Sequence, residues 1–146
     1  MTDVNTALLE EVAARNNAEI VAPDAIYDVK ADIYAPCALG ATLNPETLDR
    51  LSAKAIVGAA NNQLATPEIG RILFERGVLY APDYVVNAGG IINVGLEYLG
   101  QGDEAEVMAR IAKIPARLNE VWDESDRTGA PAAEVADTIA TRLIGR

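Results

Sequence analysis

The sequence predicts an α/β fold built around a doubly wound parallel sheet. Short apolar segments of the kind that form buried strands alternate with helix-start signals up to about residue 100, and only helical patterns follow. Strands that alternate with helices imply right-handed crossovers and parallel pairing. Residues 1–5 look like the tail of a strand, so we expect the sheet to be incomplete at its N-terminal side. Helices are expected to make up the remainder, from about residue 101.

The first part of the chain contains one predicted helix and two predicted strands. Asn5 or Thr6 can cap a helix that runs to about Arg15. Residues 18–21 and 32–35 are short apolar runs, and each is ended by a proline or a loop of small residues. Both runs are therefore expected to be strands.

The segment at residues 54–64 organises the rest of the chain. Residues 55–57 are small or β-branched, which is typical of a buried strand. The small residues 58–60 leave room for a ligand to approach the backbone, and Asn61 and Asn62 offer amide groups where the strand ends. In open α/β sheets, ligands bind beyond the carboxyl ends of the strands. An ordinary turn rich in Asn would contain the same residues.

Three further helices and a strand follow from local signals. Residues 44–46 and 66–68 each place a capping residue, a proline and a glutamate at a helix start. Residues 78–80 form the next predicted strand, and a helix beginning at Pro82 is expected to run through the glycine pair at 89–90. Each glycine costs about 1 kcal/mol relative to alanine in a helix interior. The pair therefore predicts close contact with a backbone or a ligand, or else a kinked helix without function.

The C-terminal part is predicted to be helical throughout. Apolar residues recur at spacings of four and three from Val107 to Val121, which marks one face of a long helix. Pro115 should kink that helix. A final helix is expected after the break at residues 129–131.

Composition excludes several classes of function. The net charge of −10 and the pI near 4.4 argue against nucleic acid or an anionic membrane surface as a partner. The chain has no histidine, and Cys37 is its only cysteine, so we expect no metal site and no intramolecular disulfide. No apolar run approaches the roughly 18 residues that span a membrane. The default expectation is a soluble, cytoplasmic protein.

Three segments, residues 32–40, 58–64 and 80–90, together resemble the NAD-dependent amino-acid dehydrogenases of the glutamate/leucine/phenylalanine/valine family. Their order and spacing are most similar to the leucine dehydrogenase branch. The resemblance implies a Rossmann-like NAD-binding fold and the oxidative deamination of a branched-chain L-amino acid to its 2-oxo acid, with hydride passing to the nicotinamide. It also implies a homo-oligomer in the complete enzyme.

The resemblance covers only the C-terminal part of such an enzyme. The family's Gly-rich turn has no counterpart here, and Lys30, Lys54 and Lys113 do not match the family's catalytic lysines, which belong to an N-terminal domain. We therefore expect residues 1–146 to be a partial dinucleotide-binding domain with C-terminal helices, without catalytic residues and inactive in isolation. The missing catalytic domain would be its partner. The alternative is a non-catalytic folded remnant or interaction module.

Residue by residue, the resemblance implies a cofactor site. Asp3 would accept hydrogen bonds from the adenosine ribose and select NAD over NADP. Ala38 and Leu39 match positions that line the cofactor, and Ala60 and Asn61 match positions close to the nicotinamide.

The resemblance also implies a substrate site beside the nicotinamide. Asn62 matches a side chain that adjoins the cofactor and orients the substrate carboxylate, whereas Ile91 and Val94 match positions that line the substrate side-chain pocket. Cys37 lies in the same neighbourhood, where a buried, small apolar role is expected rather than a nucleophile.

Overall fold

The computed structural model describes residues 1–145. In chain order the elements are α1 (Thr6–Asn16), a 3₁₀ turn (Asp24–Asp28), β1 (Ile33–Tyr34), α2 (Pro45–Leu48), β2 (Ala55–Ile56), α3 (Pro67–Glu75), β3 (Leu79–Tyr80), α4 (Asp83–Val86), α5 (Gly89–Tyr98), α6 (Glu104–Ile111), α7 (Ile114–Thr128) and α8 (Ala132–Ile144).

The three strands form one parallel sheet in the order β1-β2-β3. Tyr34, Ile56 and Tyr80 share one row of its register. Each crossover contains a helix, α2 between β1 and β2 and α3 between β2 and β3. The predicted α/β class and the parallel sheet are therefore confirmed. The strands are shorter than the apolar runs that predict them, because the chain leaves the ladder at Pro36 and Gly58.

The main core lies where α2 and α3 cover the sheet. Its members are aliphatic or aromatic and almost fully buried: Leu43, Leu48, Ile56, Ile69, Leu73 and Tyr80. Burying a side chain of this size contributes about 1.5–3 kcal/mol to stability. The core thus fixes the sheet, and with it the positions at which β1, β2 and β3 end.

Two predicted strands do not form in the described part of the chain. Residues 1–5 and 18–21 have no strand structure. They meet at Met1, whose amine donates to the carbonyl of Glu19 at 2.6 Å and whose carbonyl accepts from the N–H of Val21 at 3.0 Å. Two short segments without a third strand beside them rarely hold a ladder, which explains the difference.

Arg50, which follows α2, binds the 3₁₀ turn through hydrogen bonds. Its guanidinium donates to Asp28 from Nε at 2.9 Å and to Asp24 from Nη1 at 3.0 Å. It also lies over the ring of Tyr27, 5.4 Å from the centroid. The hydrogen bond from Arg50 lowers the pKa of Asp28.

The long helix predicted from Val107 to Val121 is two helices, so that expectation is wrong. α6 ends at Ile111, α7 begins at Ile114, and Pro115 lies in the first turn of α7. A proline is tolerated there because its missing N–H would have no intrahelical partner, whereas in a continuous helix it would clash with the preceding turn.

The helix predicted from Pro82 is also divided, into α4 and α5, which are joined by Asn87 and Ala88. Gly89 and Gly90 begin α5 instead of lying in a helix interior. A Cβ added at Gly90 would meet nothing within 4 Å, so no protein backbone approaches it closely. Contact with a ligand stays a prediction, and so does the alternative of a broken helix without function.

The C-terminal helices form a second core beside α3 and α4. α7 and α8 pack on each other through Val121, Val135, Ala136 and Ile139. Trp122 of α7 donates from Nε1 to the carbonyl at the end of β3 at 2.9 Å. The helices therefore brace the segment that leads from β3 into α4.

Candidate functional site

The loops that follow β1 and β2 lie side by side at the carboxyl end of the sheet. The N–H of Ala60 donates to the carbonyl of Pro36 at 2.9 Å, and that of Ala41 donates to the carbonyl of Asn62 at 2.7 Å. Asn62 and Ala41 both adopt left-handed backbone conformations, with φ of 53° and 56°. The two loops thus form one hydrogen-bonded surface, which we call the loop pair (residues 35–43 and 57–64).

Glycines make the loop pair possible. A Cβ at Gly58 would lie 2.1 Å from the carbonyl oxygen of Pro36, and one at Gly40 would lie 2.8 Å from the carbonyl oxygen of Asn61. The space expected for a ligand beside residues 58–60 is therefore taken up at Gly58 by the chain itself. Ala60 is buried as well, which leaves Ala59 as the exposed member of the three.

Gln63 closes the second loop from inside. Its side chain is 0% exposed. Its Nε2 donates to the carbonyl of Gly58 at 2.8 Å and to that of Ala60 at 3.0 Å. Both donor protons are consequently used to hold the turn that precedes Asn61.

Asn61 is paired with Asn87, which lies between α4 and α5. Nδ2 of Asn87 donates to Oδ1 of Asn61 at 2.7 Å and to the carbonyl of Ala59 at 3.3 Å. These hydrogen bonds occupy the NH₂ group of Asn87 and the side-chain oxygen of Asn61. Within residues 1–145, Oδ1 of Asn87 and Nδ2 of Asn61 have no hydrogen-bond partner, so the pair presents one acceptor and one donor.

The amide pair borders a cavity of about 650 Å³ between the loop after β2 and the helices. Gly90 and Ile91 line it from the start of α5, and Ile114 lines it from the start of α7. No side chain caps the N-terminus of α5. A helix N-terminus carries partial positive charge, so this end of the cavity favours an anionic group.

Tyr84 ties the cavity wall to α8. Its hydroxyl donates to Oδ1 of Asp137 at 2.6 Å. Burial, reinforced by Asp137, raises the pKa of Tyr84. The cavity lining contains neither a lysine nor a carboxylate among the described residues, so it offers groups that bind and orient a ligand.

The residues predicted to bind the cofactor lie on the loop pair, except Asp3. Asp3 is exposed before α1, where its Oδ1 accepts from the N–H of Asn5 at 2.8 Å as a local turn. Ala38 and Leu39 are exposed on the loop pair, Leu39 to 76%. Ala60 contributes backbone only, whereas Asn61 faces the cavity.

The residues predicted to bind substrate are also exposed. Ile91 is 70% exposed and lines the cavity, and Val94, 58% exposed, follows it by three residues on α5. Asn62 is exposed on the loop pair. The expectation for Cys37 is wrong: its side chain is exposed, and its Sγ accepts from the N–H of Ala59 at 3.5 Å.

Two members of the site, Asn87 and Gln63, are missing from the sequence-based assignment. Asn87 lies within the third resembling segment, and the signal for it is a polar side chain shortly after a strand end. Gln63 gives no such signal, because glutamine is ordinarily a surface residue.

In the described part of the chain, none of the helices combines the length and the apolar character that crossing a membrane requires. Over the same residues, no three side chains of histidine, cysteine, aspartate or glutamate come together as a metal site would need.

Comparison with known proteins identifies the family. A model described as glutamate/leucine/phenylalanine/valine dehydrogenase matches residues 2–144. Leucine dehydrogenase of Thermoactinomyces intermedius is 44% identical over 99% of this chain and 39% of the relative, and valine dehydrogenase of Streptomyces albus is 43% identical over 96% and 39%. The chain thus spans about two fifths of the length of these relatives.

A solved structure agrees with this assignment and with a Rossmann-like fold. The crystal structure of L-tryptophan dehydrogenase from Nostoc punctiforme superimposes with a TM-score of 0.93 at 39% identity, over 99% of this chain and 44% of that one. The match over residues 2–144, together with the parallel sheet that this solved structure shares, leads to one conclusion: the chain belongs to the glutamate/leucine/phenylalanine/valine dehydrogenase family.

Proposed function

We propose that this chain is the C-terminal, cofactor-binding part of an NAD-dependent L-amino-acid dehydrogenase that deaminates branched-chain amino acids oxidatively. Residues 1–146 form a partial dinucleotide-binding domain in this proposal, with C-terminal helices from about residue 101. The observation that carries it is the amide pair, because Asn61 and Asn87 line the same cavity and their mutual hydrogen bond leaves an acceptor on Asn87 and a donor on Asn61 unused.

The amide pair suits the nicotinamide end of the cofactor. A carboxamide needs one acceptor for its NH₂ group and one donor for its oxygen, which is what Oδ1 of Asn87 and Nδ2 of Asn61 supply. NAD supplies the hydride acceptor when it is bound. Ala38 and Leu39 cover the cofactor from the first loop, and the exposed Asp3 keeps a second carboxylate oxygen for a ribose hydroxyl.

The substrate lies against α5 in this proposal. Asn62 orients its carboxylate, and the uncapped end of α5 adds partial positive charge nearby. Ile91 and Val94 form an aliphatic wall for a branched side chain. They carry no charge that could pair with a second carboxylate, so glutamate is disfavoured.

Proton transfer is assigned to another part of the enzyme. Deamination needs a general acid and a general base, and among residues 1–145 the cavity lining has no lysine or carboxylate, while its one phenol, Tyr84, donates its proton to Asp137. We therefore place those groups in a separate catalytic domain, and the complete enzyme is proposed to be a cytoplasmic homo-oligomer.

The test joins this chain to the whole part of a leucine dehydrogenase that precedes the matched region, which supplies both the N-terminal domain and the Gly-rich turn; we call the product the fusion enzyme. We expect it to form NADH from L-leucine. Asn87→Ala should lower kcat/KM by about tenfold or more, because it removes an orienting group from the cofactor. Asn119→Ala, which removes an exposed amide on α7, is the matched control and should keep the wild-type value. A soluble, folded fusion enzyme without leucine-dependent NADH formation would favour the non-catalytic module instead.

A further inference from the structure

Gln63 makes contacts that a packing role does not explain. It is fully buried, yet its Oε1 has no hydrogen-bond partner among the described residues. Leaving a buried acceptor unpaired costs free energy, so a side chain chosen for stability alone would avoid it. The two hydrogen bonds that Nε2 of the same side chain donates offset this cost.

Those two hydrogen bonds act on the backbone that carries the amide pair. Gly58 and Ala60 flank Ala59, and Asn61 follows directly. The two acceptors that hold Nδ2 of Asn87 are the carbonyl of Ala59 and Oδ1 of Asn61. The turn fixed by Gln63 therefore sets where both acceptors lie.

The surrounding loop cannot take over this task. Gly58 already lies against Pro36, and Gly40 lies against Asn61, with no space for even one added carbon. The carbonyls of Gly58 and Ala60 converge on a single buried donor group that must carry two protons. At this position an amide meets that need, whereas a carboxylate or a thioether does not.

We propose that Gln63 is a positioning residue: by holding the carbonyls of Gly58 and Ala60, it orients the Asn61–Asn87 amide pair toward the ligand. The meaning of this arrangement for catalysis rests on the function proposed above. The arrangement itself is a property of the chain and can be tested without activity.

The first measurement uses the wild-type chain of 146 residues. Through-hydrogen-bond NMR couplings from the Nε2 group of Gln63 should reach the carbonyl carbons of Gly58 and Ala60. The side-chain amide protons of Asn87, identified by their loss in Asn87→Asp, should exchange slowly with solvent. Absence of both couplings in the folded chain would overturn the proposal.

The second measurement compares variants. Gln63→Met keeps the length of the side chain and removes both hydrogen-bond donors. Gln63→Glu keeps the shape of the side chain, but its carboxylate oxygens would face the carbonyls of Gly58 and Ala60 without a proton to donate. In each folded variant the Asn87 amide protons should lose their slow exchange. Ile69→Val, a buried change in the main core, is the control and should leave them unchanged. Slow exchange that persists in Gln63→Met would show that the amide pair does not depend on Gln63.

The third measurement separates this proposal from the proposed function. Saturation transfer in NMR from the wild-type chain to the nicotinamide protons of NADH should be detectable. The transfer should weaken about fivefold or more in Gln63→Met, because one net hydrogen bond changes binding by about that factor. If the wild-type chain gives no transfer while the Asn87 amide protons still respond to Gln63→Met, the positioning role stands and the proposed function fails. Equal transfer in both proteins would contradict the positioning role.

Discussion

Nδ2 of Asn87 donates to Oδ1 of Asn61 across 2.7 Å and joins the loop after β2 to the linker between α4 and α5. The residues are 26 positions apart, and the parallel order of β2 and β3 brings them together. The site is therefore a product of the sheet, because neither loop contains both halves of the pair.

A double-mutant cycle should detect this contact in the free energy of unfolding. Asn61→Ala and Asn87→Ala, measured singly and together by urea denaturation, should show a coupling of about 0.5–1 kcal/mol, typical of one exposed hydrogen bond. Asn61→Ala combined with Asn119→Ala should be additive. A coupling of zero for the first pair would mean that the contact does not persist in solution.

Two glycine substitutions should have opposite effects on stability. Gly40→Ala would place a Cβ within 3 Å of the carbonyl oxygens of Asn61 and Asn62, and overpacking of this kind costs about 1–3 kcal/mol. Gly90→Ala adds its Cβ to open space in the first turn of α5, so it should be neutral or stabilising by up to about 1 kcal/mol. Thermal melts of both variants test the contrast, and equal melting temperatures would refute it.

Stability should fall in alkaline solution partly through Tyr34. Burial, with a smaller contribution from Tyr27, raises the pKa of Tyr34 from 10.0 to about 12. The folded chain therefore keeps the phenol proton between pH 10 and 12 while the unfolded chain releases it, so stability is full below pH 10 and declines as the pH rises through that window.

Tyr34→Phe should flatten the decline when the free energy of unfolding is followed from pH 9 to 12. Tyr98→Phe is the control, because the ring of Tyr98 is 89% exposed, and it should leave the curve as in the wild type. An unchanged slope in Tyr34→Phe would show that the phenol titrates alike in both states.

The purified chain alone should have no dehydrogenase activity. Losing a general acid or base lowers the rate by about 10² to 10⁴ each. Among the described residues the cavity lining has no lysine or carboxylate to replace them, and Tyr84 donates its proton to Asp137. Spectrophotometric assay with NAD and L-leucine should give the rate of a protein-free blank. Leucine-dependent NADH formation above that blank would contradict the assignment of proton transfer to another domain.

Substrate preference in the fusion enzyme should depend on Val94. Ile91 and Val94 are β-branched and stiff, so the wall that they form suits a branched aliphatic side chain better than a phenyl ring. Val94→Ala should shift the ratio of kcat/KM values toward phenylalanine, and one methylene group in such a pocket changes the preference by about 1–3 kcal/mol. If Val94 served packing alone, the variant would melt earlier with an unchanged ratio.

The sequence predicts helix starts and strand ends better than helix continuity. Asn44 caps α2 in a reciprocal arrangement with Thr47, and Pro45 and Pro67 lie in the first turns of their helices, as the local pattern indicates. The break before α5 escapes prediction, and the one before α7 is predicted only as a kink at Pro115, because two helices joined by two residues can keep one apolar period.

The residues of the site also differ in how far the sequence alone predicts them. Asn61 could be recognised because it lies in the loop that follows β2, where chain position alone places it near the carboxyl edge of the sheet. Asn87 required the order of the strands, and Gln63 required knowledge of two carbonyls that only the folded loop brings together. The roles of Asp3 and Val94 stay predictions, since each depends on a ligand.

The close fit of Gly58 to Pro36 and of Gly40 to Asn61 has a consequence for recombining this chain with its relatives. A crossover between residues 43 and 57 would unite loops from two parents, and any difference in their shapes would appear as a clash or a gap at these glycines. Chimeras joined before residue 35 or after residue 64 inherit both loops from one parent. The loop pair is thus the smallest block of this region that can be exchanged between homologous enzymes as a whole.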